Sequence, residues 1–337
     1  MSFGFTQALW LKEAASPTVY GTVEDMSTGT RYMLPLKSAT MDKTIARIKT
    51  EHIRGVAGIK QDEDQLGIES VQGSFGGIVP CKGDFGIVLK HVLGKVTTSG
   101  NYTHSYAWTE KLFSGFSLAI NKGDAAYNSH GCQFKSLKLS AKVGGPLEWT
   151  ASVVGKAEAQ LATITAPALP ALLAGTPYWL FQHGAFTIDS ASEPITEFSV
   201  DIVNDLAESD DSSYAIGSVA RGLLPRIGYG LTGAIKRRHD KDATQVSKFY
   251  AKFLSGATAD VRLIFTNPSD AAYVFSIILA VVKFEGKTPN PTDKGLVFED
   301  IPFTAYDLET GSGSGIVVTD AQATPATATG AYDGSGF

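Results

Sequence analysis

Residues 71–96 read VQGSFGGIVPCKGDFGIVLKHVLGKV, and this stretch decides the fold. It opens as a glycine-punctuated strand, turns at PCKGD, and continues as a helix over Asp84–Leu93 in which Phe85, Val88, Leu89, Val92 and Leu93 form one apolar stripe. Asp84 is the expected N-cap and Gly94 the expected stop. The stripe is expected to pack one helix face on a sheet. The same order of elements returns at residues 228–265. There GYGLTGAIK leads to a helix over Ala243–Leu254, with Val246, Phe249, Tyr250, Phe253 and Leu254 at i, i+3, i+4, i+7 and i+8. Asp242 is its expected cap, Gly256 follows its end, and the strand ADVRLIF comes next. Each half is also preceded by a strand and a polar loop, TIARIKTE with QDEDQ and EFSVDIV with ESDDSS. A domain duplicated in tandem is therefore expected.

Around these two anchors the chain reads as mainly β. Runs rich in Val, Ile, Thr and Phe between Gly, Asn, Asp and Ser predict strands. In the first half they cover Thr44–Glu51, Ile68–Val79, Phe116–Asn121, Phe134–Ala141 and Trp149–Val154. In the second they cover Ala185–Ile188, Ile195–Val203, Leu231–Lys236, Ala259–Phe265, Val274–Phe284 and Gly295–Thr304. The uncharged, proline-bearing segment LATITAPALPALLAGTP (161–177) reads as a stiff connector. The expected units are residues 1–165, residues 166–310, and a Gly/Ala/Thr-rich C-terminal arm over 311–337 that is mobile or ordered by a neighbour.

Composition narrows the function. The 337 residues are 43% hydrophobic and 19% charged, with 35 glycines. Such a chain has ample material for a core. A formal net charge of −5 supplies no basic footprint for wrapping nucleic acid. The start lacks the positive n-region and long apolar run of an export leader, and the strongest apolar run, Ala271–Val282, is shorter than the ~20 residues of a membrane helix. No membrane partner is expected. Cys81 and Cys132 have no metal spacing and read as free thiols.

The motifs that suggest chemistry fail on context. Gly228, Gly230 and Gly233 spell G-x-G-x-x-G, but strand-like sequence follows them where a phosphate-binding helix is required. Glycines there mark a close backbone approach. His130 and Cys132 make two ligands and no more, and His239, Asp240 and Asp242 read as a turn into a helix cap. The sequon at Asn101 matters only in a secreted chain. No cofactor, metal or catalytic residue is expected. Charge is more telling: residues 1–170 hold 17 basic and 14 acidic residues (+3), leaving 12 and 20 (−8) for the rest. Along Ile195–Val203, Glu197, Ser199 and Asp201 alternate with Phe198, Val200 and Ile202, and Asp205 follows in phase, which gives an acidic face and an apolar one.

The ordered set SVQGSFGGIV, DFGIVLKHVLG, YTHSYAW, FSGFSLAIN, GCQFKSLKLSAKVGGPLEWTASVVGKAE, EFSVDIVNDL, ATQVSKFYAKFL and LVFEDIPFTAY resembles the tail tube proteins of long-tailed, non-contractile bacteriophages. The resemblance runs from about residue 30 to 320. It implies a β-sandwich or partial barrel with one flanking helix, whose sheets join across subunits into an inner β-barrel around a lumen. It also implies a structural virion protein without catalytic residues, rings stacked into a tube, and loops or arms between rings.

The implied lumen is largely negative, holds the tape-measure protein during assembly and passes genomic DNA during ejection without sequence-specific binding. Tail-tip and tail-terminator proteins are the further implied partners, the virion tail the location, and the host cytoplasm the place of assembly. Were the two matched strands to line the lumen, the first copy would offer Arg47, Lys49 and Glu51 and the second Glu197, Ser199 and Asp201. Two domains per chain favour a ring of three chains with pseudo-sixfold symmetry, with a hexamer as the other arrangement. The competing reading is another self-assembling virion module, a decoration or baseplate protein.

Overall fold

The computed structural model describes residues 9–14, 20–49, 64–99, 103–109, 115–122, 125–161, 166–169, 171–208, 213–238, 249–286, 298–308 and 313–319. The first half supplies β1 (Leu9–Glu13), β2 (Tyr32–Met33), β3 (Ser38–Lys49), β4 (Asp64–Ile78), β5 (Gly94–Ser99), β6 (Thr103–Trp108), β7 (Phe116–Asn121), β8 (Ala126–Lys142), β9 (Glu148–Gly155) and β10 (Ala157–Leu161). Helix α1 (Phe85–Leu93) lies between β4 and β5. The second half supplies β11 (Gly184–Ile188), β12 (Ala191–Ser192), β13 (Glu197–Leu206), β14 (Arg226–Arg238), β15 (Ala259–Thr266), β16 (Val274–Phe284), β17 (Phe298–Tyr306) and β18 (Gly315–Thr319). Helix α2 (Tyr250–Ser255) lies between β14 and β15. The chain is mainly β, as expected, and its antiparallel pairings connect into one sheet system.

The spine of that system is eight adjacent strands in the order β3-β4-β9-β8-β13-β14-β17-β16. Each half contributes four, in matching order. Two kinds of irregularity recur in both halves, while the extra residue that β8 carries opposite β9 between Phe134 and Ser136 has no counterpart between β16 and β17. β4 carries an extra residue opposite Ile45–Arg47 of β3, and β14 carries one opposite Asp205–Leu206 of β13. β8 does so opposite Phe116–Leu118 of β7, and β16 opposite Ala259–Val261 of β15. Aligning the pairs beyond the first two bulges, Arg47↔Leu66 with Leu206↔Arg226, makes Ser38, Thr40 and Asp42 the counterparts of Glu197, Ser199 and Asp201. A close approach recurs at the matching point. A Cβ on Gly73 would overlap the Thr40 carbonyl oxygen, and one on Gly233 the Ser199 carbonyl oxygen.

Strand alternation turns one face of the spine inward, burying Phe75, Leu139, Trp149, Phe198, Val200, Leu231 and Phe303. Edge-to-face rings knit this layer together: Phe75 lies 5.8 Å from Phe134 and 5.9 Å from Trp149, centroid to centroid. Helix α1 packs on β8, β5 and β6. It was expected to bury one stripe, yet Lys90, His91 and Ile87 are buried along with the stripe residues. The side turned from the spine is covered as well: Glu13 of β1 pairs with Lys90 and His91, Phe116 of β7 packs on the His91 ring, and β6 lies against the helix. Gly94 ends it in a left-handed conformation (φ 95°), its N–H donating to the Lys90 carbonyl oxygen, as expected. Asp84, expected to cap the helix, does not: its carboxylate accepts the Met33 N–H at 3.1 Å and so ties β2 to the helix start.

The second expected helix is described only from Tyr250, and Asp242, Ala243 and Val246 lie outside the described residues. Just before it, Phe249 is buried against Phe284 (5.1 Å) and beneath the Arg237 guanidinium (4.3 Å), which pairs with Glu299 at 3.0 Å. Leu254, placed in the packed stripe by its spacing, is instead 67% exposed. The expected strand over Gly295–Thr304 is described from Phe298 and runs on to Tyr306.

The chain beyond 311 departs from the expected arm. Gly315–Thr319 forms β18, which pairs with β16 on one side and β6 on the other, with Ile316 and Val318 buried. A short alternating apolar run inside a Gly/Ser/Thr-rich segment is enough to fill an open slot in the chain's own sheet. The connector is fastened as well: Pro177 accepts the Cys81 N–H at 2.9 Å and Trp179 the Leu147 N–H at 2.8 Å.

The two halves share one core. Asn204 on β13 is fully buried and donates to Val92 O at the end of α1 (3.0 Å) and to Phe134 O on β8 (3.1 Å). Its amide oxygen accepts from Arg226 on β14 at 3.0 Å.

Candidate functional site

The outward face of the spine is a continuous polar surface. One row, read across all eight strands from the pairing register, is Ser38, Gly76, Thr150, Lys138, Asp201, Thr232, Thr304 and Lys283. A second holds Thr40, Ser74, Ser152, Ser136 and Val203. Hydroxyls pair along it: Thr40 Oγ1 lies 3.1 Å from Ser74 Oγ, and in a further row Thr44 Oγ1 lies 2.8 Å from Ser70 Oγ. Short hydroxyl side chains on β-favouring backbone make a shallow face with few long cationic arms.

Charges on this face alternate in sign. Lys142, Glu197, Lys236 and Asp300 stand side by side on β8, β13, β14 and β17, and Lys138 faces Asp201. Partial burial raises the Asp201 pKa above the ordinary aspartate value, and the Lys138 charge pulls the other way. The acidic face expected on β13 therefore exists, but the lysines of β8 and β14 border it. At one end of the face, Lys37 and Glu148 form an ion pair between the start of β3 and β9.

The residues singled out in the sequence divide here. Glu197, Ser199 and Asp201 do share the polar face of β13. Arg47 does not join them. On β3 the polar face carries Ser38, Thr40, Asp42 and Thr44, and Arg47 alternates to the opposite side, exposed beyond the bulge. Lys49 pairs with Asp64 in the backbone ladder, while Glu51 lies outside the described residues. The counterparts missed from sequence are Ser38, Thr40 and Asp42, together with Lys138, Lys142 and Lys236. The signal was present in SATMDKT (38–44), where small and polar residues occupy every second position, but register alone reveals which lysines border Asp201.

Other clusters offer less. Gly228, Gly230 and Gly233 lie within β14. His130 lies within a bulge of β8 that Cys132 borders, and burial raises the Cys132 thiol above its usual range. His239, Asp240, Asp242 and Asn101 lie outside the described residues. Among the described residues no three His, Cys, Asp or Glu side chains converge as a metal site, and no helix is long and apolar enough to cross a membrane.

A mainly β chain with a polar face spanning two matched quartets is the setting in which a family match carries weight. Residues 4–305 match the family model described as phage tail tube protein. The chain belongs to that family. No individually curated protein matches it. As a tail tube protein it is a structural component of the virion tail that self-associates into a tube and meets other tail components. Its polar face is then the surface whose hydroxyl rows and alternating charges call for explanation.

Proposed function

We propose that this tail tube protein is a tandem duplication of one tube module, and that three chains close a ring in which the polar face lines the lumen. The observation that carries this reading is the repeated quartet, β3-β4-β9-β8 followed by β13-β14-β17-β16, with shared bulges and a shared glycine approach. Three chains of eight spine strands present the same succession of quartets as six single modules. Closure also removes the exposed edges that an open sheet of this length presents.

Rings stack head to tail into a tube that first sleeves the tape-measure protein and later conducts genomic DNA, with tail-tip and terminator proteins closing its ends. The lining suits passage: each lysine on the central strands has an acidic neighbour, so phosphates meet no uncompensated cationic track on which to stall. Glu197, Ser199 and Asp201, with Ser38, Thr40 and Asp42, are the lumen residues in this reading. The protein works by assembly in the host cytoplasm and without catalysis. Electron microscopy of purified protein at rising concentration tests the proposal, with hollow tubes and threefold end-on averages as the expected result. A protein that stays monomeric or stops at a closed oligomer, even with a tail-tip nucleus supplied, refutes it and favours a decoration or baseplate role.

A further inference from the structure

The chain contains its own example of how two quartets join. On one edge of β8, β7 pairs as far as Cys132, and β13 takes over from Ser136 to Lys142. On the matching edge of β16, β15 pairs as far as Val282. From Lys283 to Gly286 that edge has no partner strand among the described residues. β3, the counterpart of β13, pairs with no strand but β4 among the described residues, and on it the Lys122 ammonium donates to the Met41 carbonyl oxygen at 2.6 Å, a contact that a docking strand would have to displace. β3 is a long edge with Ile45 and Ile48 exposed (42% and 54%), the kind of strand that recruits a partner.

We infer that these two edges, each without a partner strand among the described residues, are the two sides of one interface: β3 of a second copy docks antiparallel beside β16, in the register that joins β13 to β8 within the chain. The inference rests on the ring reading above and adds to it the edges and the register. The register follows from residues already placed. Gly73 pairs with Val153 and Gly233 with Phe303, so Ser152 corresponds to Pro302. Ser152 pairs with Ser136, and the Glu285 N–H donates to the Pro302 carbonyl oxygen, so Ser136 corresponds to Glu285. The internal pair Ser136↔Val203 then becomes Glu285 against Thr44 of the second copy.

The two edges differ from one another, so the contact is heterologous and propagates around a ring.

The test is a cysteine pair, Thr44→Cys with Glu285→Cys, in the full chain under mild oxidation. Both positions are exposed, whereas the native Cys81 and Cys132 are buried. Directly opposed Cβ atoms in an antiparallel pair lie about 5 Å apart, within reach of a disulfide after small adjustment. Covalent trimers on non-reducing gels are expected. The slipped pair Thr40→Cys with Glu285→Cys, displaced by four residues or about 13 Å, is expected to stay monomeric. Tubes that form without Thr44–Glu285 cross-links, or that cross-link equally in the slipped pair, overturn the register and leave the tube reading standing. Cross-linked trimers that never form tubes uphold the seam and overturn the tube.

Discussion

Replacing Asn204 with alanine is expected to cost this protein at least about 3 kcal/mol of stability. The side chain has no solvent exposure and makes three hydrogen bonds, to Val92 O (3.0 Å), to Phe134 O (3.1 Å) and from Arg226 (3.0 Å). Each lost bond is worth about 1 kcal/mol net, and a buried group left without its partner costs about 1–3 kcal/mol. The Arg226 guanidinium is the most sensitive of the three, because burial already draws its pKa down to about 10 and its Nε and Nη2 have no hydrogen-bond partner among the described residues. Urea unfolding at low protein concentration reads the loss as a lower midpoint at unchanged slope. Arg226→Leu supplies the second arm of a double-mutant cycle. Once the guanidinium is gone, Asn204→Ala is expected to cost about 1–2 kcal/mol less than in the wild type. Asn204→Asp is expected to be worse than alanine at neutral pH, since a carboxylate faces two carbonyl oxygens, and to recover as acid restores a donor. An Asn204→Ala variant within about 0.5 kcal/mol of wild type, or strict additivity in the cycle, refutes the claim that this residue fastens β13 to α1 and β8.

Gly73→Ala and Gly233→Ala are expected to lose about 1–3 kcal/mol through overlap with the Thr40 and Ser199 carbonyl oxygens, while Gly230→Ala, with open space around it, is expected to be neutral or stabilising. Thermal melts of the three variants check this, and equal behaviour of all three counts against it. Burial pushes the Asp84 carboxyl up from 3.8 to about 6 against the Met33 N–H, so the native state holds the proton more tightly and Asp84's contribution to stability falls as pH rises from about 4 to 6. Asp84→Asn is expected to flatten that decline and to exceed wild type above pH 6; a variant that follows the wild-type profile sinks the assignment. Glu13 has the opposite sign: burial alone would raise it, but the hydrogen bond and charge of His91, joined by Lys90, outweigh burial and hold it at about 2. Its contribution is present above about 4.5 and lost as pH falls toward 2, so Glu13→Gln is expected to destabilise at neutral pH and to match wild type near pH 2. Cys81, pushed up to about 11 by burial, and Cys132 are expected to resist thiol reagents at pH 8 until the protein unfolds, and rapid labelling of the native state would contradict their placement.

Much of the fold was legible because local physics writes it. Phe116–Asn121 was read to the residue, and the glycine stop of α1 needed only Gly94. What escaped involves partners distant in sequence. Nothing local in GIVVT distinguishes a loose arm from β18, because the slot between β16 and β6 is built by residues from both halves. Asp84 looks like a helix cap by position and instead serves β2, since a backbone N–H over fifty positions away in sequence order competes for the same carboxylate. The amphipathic stripe of α1 correctly marked a helix, yet it implied a free face that Glu13 of β1 and Phe116 of β7 cover.

The polar face divides along the same line. Period-two alternation by itself determined that Glu197, Ser199 and Asp201 share one side of β13, because successive strand side chains point to opposite faces wherever the strand lies. Only the tertiary structure decided that Ser38, Thr40 and Asp42 are their counterparts, that Arg47 falls on the other side, and that lysines from β8 and β14 stand beside the acids. Those outcomes depend on register between strands, which is set by bulges, glycine contacts and the burial of Phe75, Trp149, Phe198 and Phe303 in one shared core, and no window of sequence contains both partners of such a pair.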